Sequence, residues 1–365
     1  SGLVFWIAIA LVFVSASNFF SCLLESLRQV RAVTLMRFIT STSFAIAAVG
    51  LLWFTSGGAS SATIGFAVGC CLGGIPAIWV LWHYRSSISD TGDALTQSSM
   101  WKRIAPFAIW LWASNLLNNL FEVSDRYMLI HWSNMSADLA QGSVGQYHSG
   151  RVVPLLLVSV AAMLAGLLLP YMSAAWEAGK KEEAQRQLNW TVKLVSVGFT
   201  VCGALILLMS PLLFDLILQG RYNDGLAVLP LTLVYSIWFS LHTVGQDYLW
   251  VAEKGKWAAG ATAIGLLVNV GINTALIPVL GLWGAVAATA CGNLVIVLGM
   301  FSLNHYFGCR TDKGIWLSAG LPMMLLLGTT VAIISVLTLL AVCITTEVVF
   351  TQREKEDVMK IVREK

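Results

Sequence analysis

Nine apolar stretches, each about as long as a bilayer is thick, follow one another along this chain: 2–24, 34–54, 62–82, 105–131, 144–170, 192–213, 226–250, 257–278 and 281–306. A hydrocarbon core of about 30 Å takes about 20 apolar residues in helical form. Lipid offers the backbone no hydrogen bonds, so a chain of such segments folds as helices. A tenth stretch, 315–350, is too long for one upright helix at about 1.5 Å per residue. A hairpin of two short helices turning near Gly328 accounts for it. The expectation is an all-α, polytopic membrane protein with about eleven transmembrane helices. Composition excludes the soluble alternative: 57% of the 365 residues are hydrophobic and 11% charged, against about 25% charged in soluble domains. A water-soluble core of this size has no room for so much apolar surface.

Basic residues sort the loops into two sets. Taking every second loop from the first span onward, thirteen Lys and Arg fall in one set: Arg28 and Arg31; Arg85, Lys102 and Arg103; Lys180, Lys181, Arg186 and Lys193; Lys254 and Lys256; Arg310 and Lys313. The other set holds Arg221 alone. The positive-inside rule makes the basic set cytoplasmic. The hairpin reading also keeps the tail, with Lys355, Lys360 and Lys365, on that side. The layout is then a helical bundle over 1–82, a cytoplasmic linker over 83–103, a six-helix bundle over 104–306, an accessory hairpin over 307–350 and a charged cytoplasmic tail over 351–365. Residues 174–190 read as an amphipathic interfacial helix. Residues 21–32 overlay on 246–257, each a helix end, a tight basic turn and a new helix. Such internal repeats are common in transporters.

The fourth span carries a polar stripe. Asn115, Asn119, Glu122 and Arg126 recur at i, i+4, i+7 and i+11, with Asn118 and Asp125 beside them. At 100° per residue the six cover a face about 120° wide. An ionised group at mid-bilayer costs about 2.5–3.5 kcal/mol, so the stripe faces a hydrated cavity or a partner helix. One reading is a substrate-binding wall. The other is a neutralised network in which Glu122 or Asp125 pairs with Arg126. Arg151, near the start of the next span, either joins that wall or reaches the membrane interface. Two guanidinium groups suit a diphosphate, because each donates two parallel hydrogen bonds to phosphate oxygens.

Other polar groups are fewer. Ser236, Ser240, Thr243 and Asp247 share a face of the seventh span, flanked by His242 and Gln246. Asp247 is an ion-coupling candidate, with helix packing as the alternative. Glu25, in the first span with Asn18, Ser21 and Cys22, is a second candidate, or a partner for Arg28. Asn269 and Asn273, at i and i+4, read as helix-packing groups. The seven cysteines form no CxxC and no metal spacing, so neither a metal nor a cofactor is expected. The chain carries no Walker, GxSxG or HExxH motif, which argues against an enzyme. No feature points to nucleic acid.

Three stretches carry a family resemblance: SNLLNNLFEVSDRYMLIHW followed by VGQYHSGRVVPLLLV; PYMSAAWEAGKKEEAQRQLNWTVKL; and GKWAAGATAIGLLVNVGINTALIPVLGLWGAVAATACGNLV. They resemble the polysaccharide biosynthesis and export family, the O-antigen flippase branch of the multidrug/oligosaccharidyl-lipid/polysaccharide exporter superfamily. The resemblance implies two helical bundles, as in the multidrug (MATE-like) exporters, that rock between inward-open and outward-open states. By that pattern the first span looks like the family's fourth helix, so the first bundle lacks its first helices. It implies a flippase for an undecaprenyl-diphosphate-linked oligosaccharide in a bacterial inner membrane, working beside polysaccharide polymerase and assembly proteins and in contact with membrane lipid. Arg126 and Arg151 would hold the diphosphate, and Glu122 and Asp125 would neutralise them when the site is empty. The rivals are a cation-coupled multidrug exporter, a membrane glycosyltransferase or ligase, and a non-transporting scaffold of a polysaccharide assembly complex.

Overall fold

The computed structural model describes residues 2–27, 29–54, 58–85, 96–216, 219–352 and 354–356, with Arg103 described in its backbone alone. Arg28, Arg353, residues 86–95 of the expected linker and residues 357–365 of the tail lie outside the described residues. Among the described residues the chain forms helices and no strand. It divides into two compact units, Ser1–Thr96 and Gln97–Lys365.

The first unit holds α1 (Gly2–Ser26), α2 (Val30–Phe54) and α3 (Ala59–Tyr84). In lipid, helices gain little by hiding apolar side chains from one another, so close backbone packing becomes the attractive force. Gly65, Gly69 and Gly73 lie one turn apart on α3 and face Ala48, Thr40 and Met36 of α2. A Cβ at Gly69 would stand 2.6 Å from the Thr40 carbonyl oxygen, and one at Gly65 2.8 Å from the Ala48 nitrogen. No side chain larger than hydrogen fits there without separating the helices.

The second unit holds α4 (Gln97–Trp132), α5 (Ala137–Glu177), α6 (Lys181–Leu216), α7 (Asn223–Gly245), α8 (Asp247–Val251), α9 (Gly255–Leu280), α10 (Leu282–Tyr306), α11 (Lys313–Gly320), a 3₁₀ segment (Leu321–Leu327) and α12 (Thr329–Thr345). Helix α7 is its axis, packed by α5, α6 and α10. Val228, Leu233, Val234, Ile237, Leu241 and Val244 on α7 are fully buried.

Eight helices are long and apolar enough to cross a membrane, with α7 and α8 taken as one. Helix α4, polar but 36 residues long, and the two short apolar arms bring the number to the eleven expected. The arms join at Gly328, whose φ of 86° turns the chain. Each arm is about 26 Å long by its helical rise. Their outer ends meet at one point: the fully buried Lys193 of α6 donates to Asp312 at 2.5 Å and to Glu354 at 2.9 Å. Both feet of the hairpin therefore sit at the same level, and one continuous span over 315–350 is ruled out. Thr351 and Glu354 then cap each other reciprocally and start the last described helical turn.

Two expectations need correction. Residues 174–190 do not form a separate interfacial helix. Helix α5 runs on to Glu177, Gly179 turns with φ 77°, and α6 starts at Lys181. The polar residues there are the ends of two long helices extending past the apolar layer. The linker is also shorter than 83–103, because α3 continues through Tyr84 and α4 begins at Gln97.

One turn recurs in the basic loops. The amide of Gln29 donates to the Leu24 carbonyl at 2.9 Å, Lys180 to Ala175 at 2.9 Å, Lys254 to Leu249 at 2.7 Å and Cys309 to Asn304 at 2.8 Å. Each is the six-residue closure that ends a helix and turns the chain. The first and third closing hydrogen bonds coincide under the overlay of 21–32 on 246–257.

Candidate functional site

The polar stripe of α4 splits in two. Asp125 points into the unit, where it is 1% exposed. One carboxylate oxygen accepts from the Asn269 amide at 2.9 Å and the Asn273 amide at 2.8 Å, both on α9. The other accepts from the Tyr147 hydroxyl of α5 at 2.8 Å and from the Thr289 hydroxyl of α10. A single carboxylate thus ties α4 to three helices through neutral donors. Asn269 and Asn273 pack helices, as their spacing suggests.

Arg126 points elsewhere, because consecutive residues on a helix diverge by about 100°. Its Nη2 donates to Glu122 one turn back, at 2.9 Å. Glu122, not Asp125, is therefore the neutralising partner. Arg151 of α5 comes to the same carboxylate, Nη2 to Oε1 at 3.7 Å. Its guanidinium lies 5.2 Å from the centre of the Tyr147 ring and is 8% exposed as a residue. That burial does not fit an arginine reaching for the membrane interface. Two guanidinium groups thus share one carboxylate. Arg126 Nε and Arg151 Nη1 are buried donors with no hydrogen-bond partner among the described residues. Buried donors without acceptors are rare and costly.

Beside them lies a cavity of about 150 Å³. Asn118, Asn119 and Glu122 line it from α4, Arg151 from α5, Tyr235, Ser236 and Phe239 from α7, and Thr289 and Asn293 from α10. The Tyr235 hydroxyl reaches the Tyr147 hydroxyl at 3.5 Å, which links the cavity wall to the Asp125 node. Of the sequence-based candidates, Glu122, Arg151, Asn119 and Asp125 come together here, with Arg126 held by Glu122 at the edge. Asn115 is exposed one turn away, where its carbonyl accepts from Asn119 at 2.8 Å. Tyr235, Thr289 and Asn293 escaped the sequence reading. Thr289 and Asn293, at i and i+4 in a helix of small residues, were the signal for two of them.

The ion-coupling candidates lie outside this group. Asp247 opens α8 and is 5% exposed, with one carboxylate oxygen unpartnered. It does not line the cavity. Glu25 belongs to the other unit, where it pairs with Arg37 of α2 at 2.6 Å. Among the described residues no cluster of His, Cys, Asp and Glu could hold a metal.

Comparison with known proteins bears on the family. Residues 2–176 match the family model described as polysaccharide biosynthesis protein. The chain is also 25% identical to the "Uncharacterized membrane protein YabM" of Bacillus subtilis (strain 168), over 69% of its own length and 49% of that relative's. It therefore spans about half the length of the relative it matches. No solved structure matches it. The resemblance to the polysaccharide biosynthesis family stands, for a multi-pass membrane protein.

Proposed function

We propose that this protein is a flippase that carries a lipid-diphosphate-linked oligosaccharide across a bacterial inner membrane by alternating access. One observation carries the reading: Arg126 and Arg151 converge on the single carboxylate of Glu122, with a buried unpartnered donor on each arginine. Two cations meet two carboxylates here, Glu122 and Asp125, but Asp125 is already held by four neutral donors, so the unpartnered guanidinium donors are left to take a further acceptor. A diphosphate is such an acceptor, because its paired oxygens take the planar fork of each guanidinium and displace Glu122. The lipid tail stays in the bilayer while the polar part passes through the protein. Membership of a polysaccharide-assembly route and the glycan class rest on the family resemblance.

The test is transport by the protein reconstituted in liposomes, read as protection of a lipid-linked glycan from an external periodate pulse. Arg151→Ala and Arg126→Ala should each abolish transport without loss of membrane insertion, and Arg→Lys should restore only part of it. A purely structural ion pair behaves differently. In that case Glu122→Gln, added to Arg126→Ala, removes the orphaned charge and restores transport. Full transport by that double variant would defeat the reading.

A further inference from the structure

A second and larger cavity, of about 830 Å³, lies at the basic end of the same unit. Its volume falls in the range of about 300–1,000 Å³ typical of ligand sites, whereas the cavity at Arg151 falls below it. Phe107 and Trp110 of α4, Trp176 at the end of α5 and Trp250 of α8 line it, together with Glu177 and Glu253. The rings are held in fixed poses. Trp250 meets Phe107 edge-on at 5.6 Å, and Trp176 meets Tyr248 edge-on at 5.6 Å. Gly255 lets the chain pack against Trp250, since a Cβ there would stand 2.3 Å from the ring. Phe107 and Trp110 remain 43% and 41% exposed, with surface to offer.

Glu253 supplies an independent observation. It occupies the left-handed turn position, with φ 58°. At the equivalent position of two matching turns the chain has glycine: Gly179 at φ 77° and Gly308 at φ 93°. A side chain at such a position is strained, and strain of this kind gathers at functional sites. Here the strained residue lines the cavity.

Aromatic faces set against carboxylates are what a pyranose asks for. The ring C–H face stacks on an indole, and the equatorial hydroxyls donate to carboxylate oxygens. Two carboxylates against two ammonium groups, that of Lys256 and that of Lys181 at 4.7 Å from the centre of the Trp176 ring, leave the site without net charge, which favours neutral sugars over acidic ones. Trp110 and Glu122 are twelve residues apart on α4, about 18 Å by helical rise. One helix therefore lines a cationic site at mid-length and an aromatic site toward the basic end. We infer that the aromatic cavity lined by Trp110, Trp176, Trp250 and Glu253 is the glycan-receiving subsite, which binds neutral sugars while the guanidinium pair holds the diphosphate. The inference rests on the flippase reading and adds the sugar class to it.

The experiment is saturation-transfer NMR on the full chain in lipid nanodiscs, with three soluble probes: diacetylchitobiose, a hyaluronan tetrasaccharide and inorganic pyrophosphate. Diacetylchitobiose should bind saturably, and more tightly than the acidic tetrasaccharide. Trp110→Ala and Glu253→Gly should each weaken it about five- to tenfold. Glu253→Gly should at the same time raise the melting temperature, because glycine relieves the turn. Binding and stability then move in opposite directions, which a structural role does not produce. Unchanged sugar affinity in Glu253→Gly, or no saturable sugar transfer from the wild-type protein, overturns the inference. Pyrophosphate separates the two proposals. If it binds and is lost in Arg151→Gln while no sugar binds, the subsite falls and the flippase reading stands. If sugars bind and pyrophosphate does not, the diphosphate role falls and the glycan site stands.

Discussion

In the first unit, α3 meets α2 across a row of glycines, backbone against backbone, with no buried charge among the described residues. In the second, α4, α5, α9 and α10 meet on the carboxylate of Asp125, through four side-chain donors. The first contact is close-packed and depends on the absence of atoms. The second is polar and depends on one atom group being present. The difference teaches where function can be built. A glycine seam tolerates no cavity. A polar node holds helices apart at fixed distances and leaves room beside it, and that is where the two arginines lie.

Breaking the node should cost most. Asp125→Ala orphans the buried donors of Asn269, Asn273, Tyr147 and Thr289, and the expected loss is about 3–5 kcal/mol. Thermal unfolding in detergent would show it, with amide exchange rising in α9 and α10 but not in α3. Next comes the hairpin clasp. Lys193→Met leaves the buried Glu354 without its cation, for a loss of about 3 kcal/mol. Adding Glu354→Leu should recover most of it, measured by protease resistance of the C-terminal segment. Gly69→Leu should cost about 1–3 kcal/mol by forcing α2 and α3 apart. Its mark is faster exchange in those two helices alone. The smallest effect belongs to Glu25→Gln. The Glu25–Arg37 pair is partly exposed on both sides, so about 1 kcal/mol or less is expected. If Gly69→Leu proved harsher than Asp125→Ala, the ranking of the two packing modes would be reversed.

Much of this was legible in the residues because it follows from periodicity. The eleven crossings, the turn at Gly328 and the Asn269–Asn273 pair all came from spacing. The pairing of Arg126 was readable only as far as two acidic choices, because Glu122 and Asp125 both border it on the helix surface. What separates them is the position of α9 and α10, which no single-helix pattern contains. The glycine row at 65, 69 and 73 escaped notice because hydropathy weighs side chains, and glycine acts there by having none. The segment at 174–190 has the charge pattern of a surface helix, and only the left-handed Gly179 distinguishes two helix ends from one helix. The aromatic cavity was hidden for a similar reason. Tryptophans near helix ends usually mark the membrane interface, and nothing in their spacing reveals that three helices aim their rings at one space.

The Asp125 node also has a history within each molecule's synthesis. Its donors on α9 and α10 follow it by 144 to 164 residues. Ribosomes add about 5–20 residues per second, so the carboxylate waits roughly 8–30 s for the last of them. Helix α4 is not among the helices that qualify for the bilayer on length and apolarity alone. It enters the membrane as a debtor to helices not yet made, and the nascent chain is at its most vulnerable to quality-control proteases during that interval.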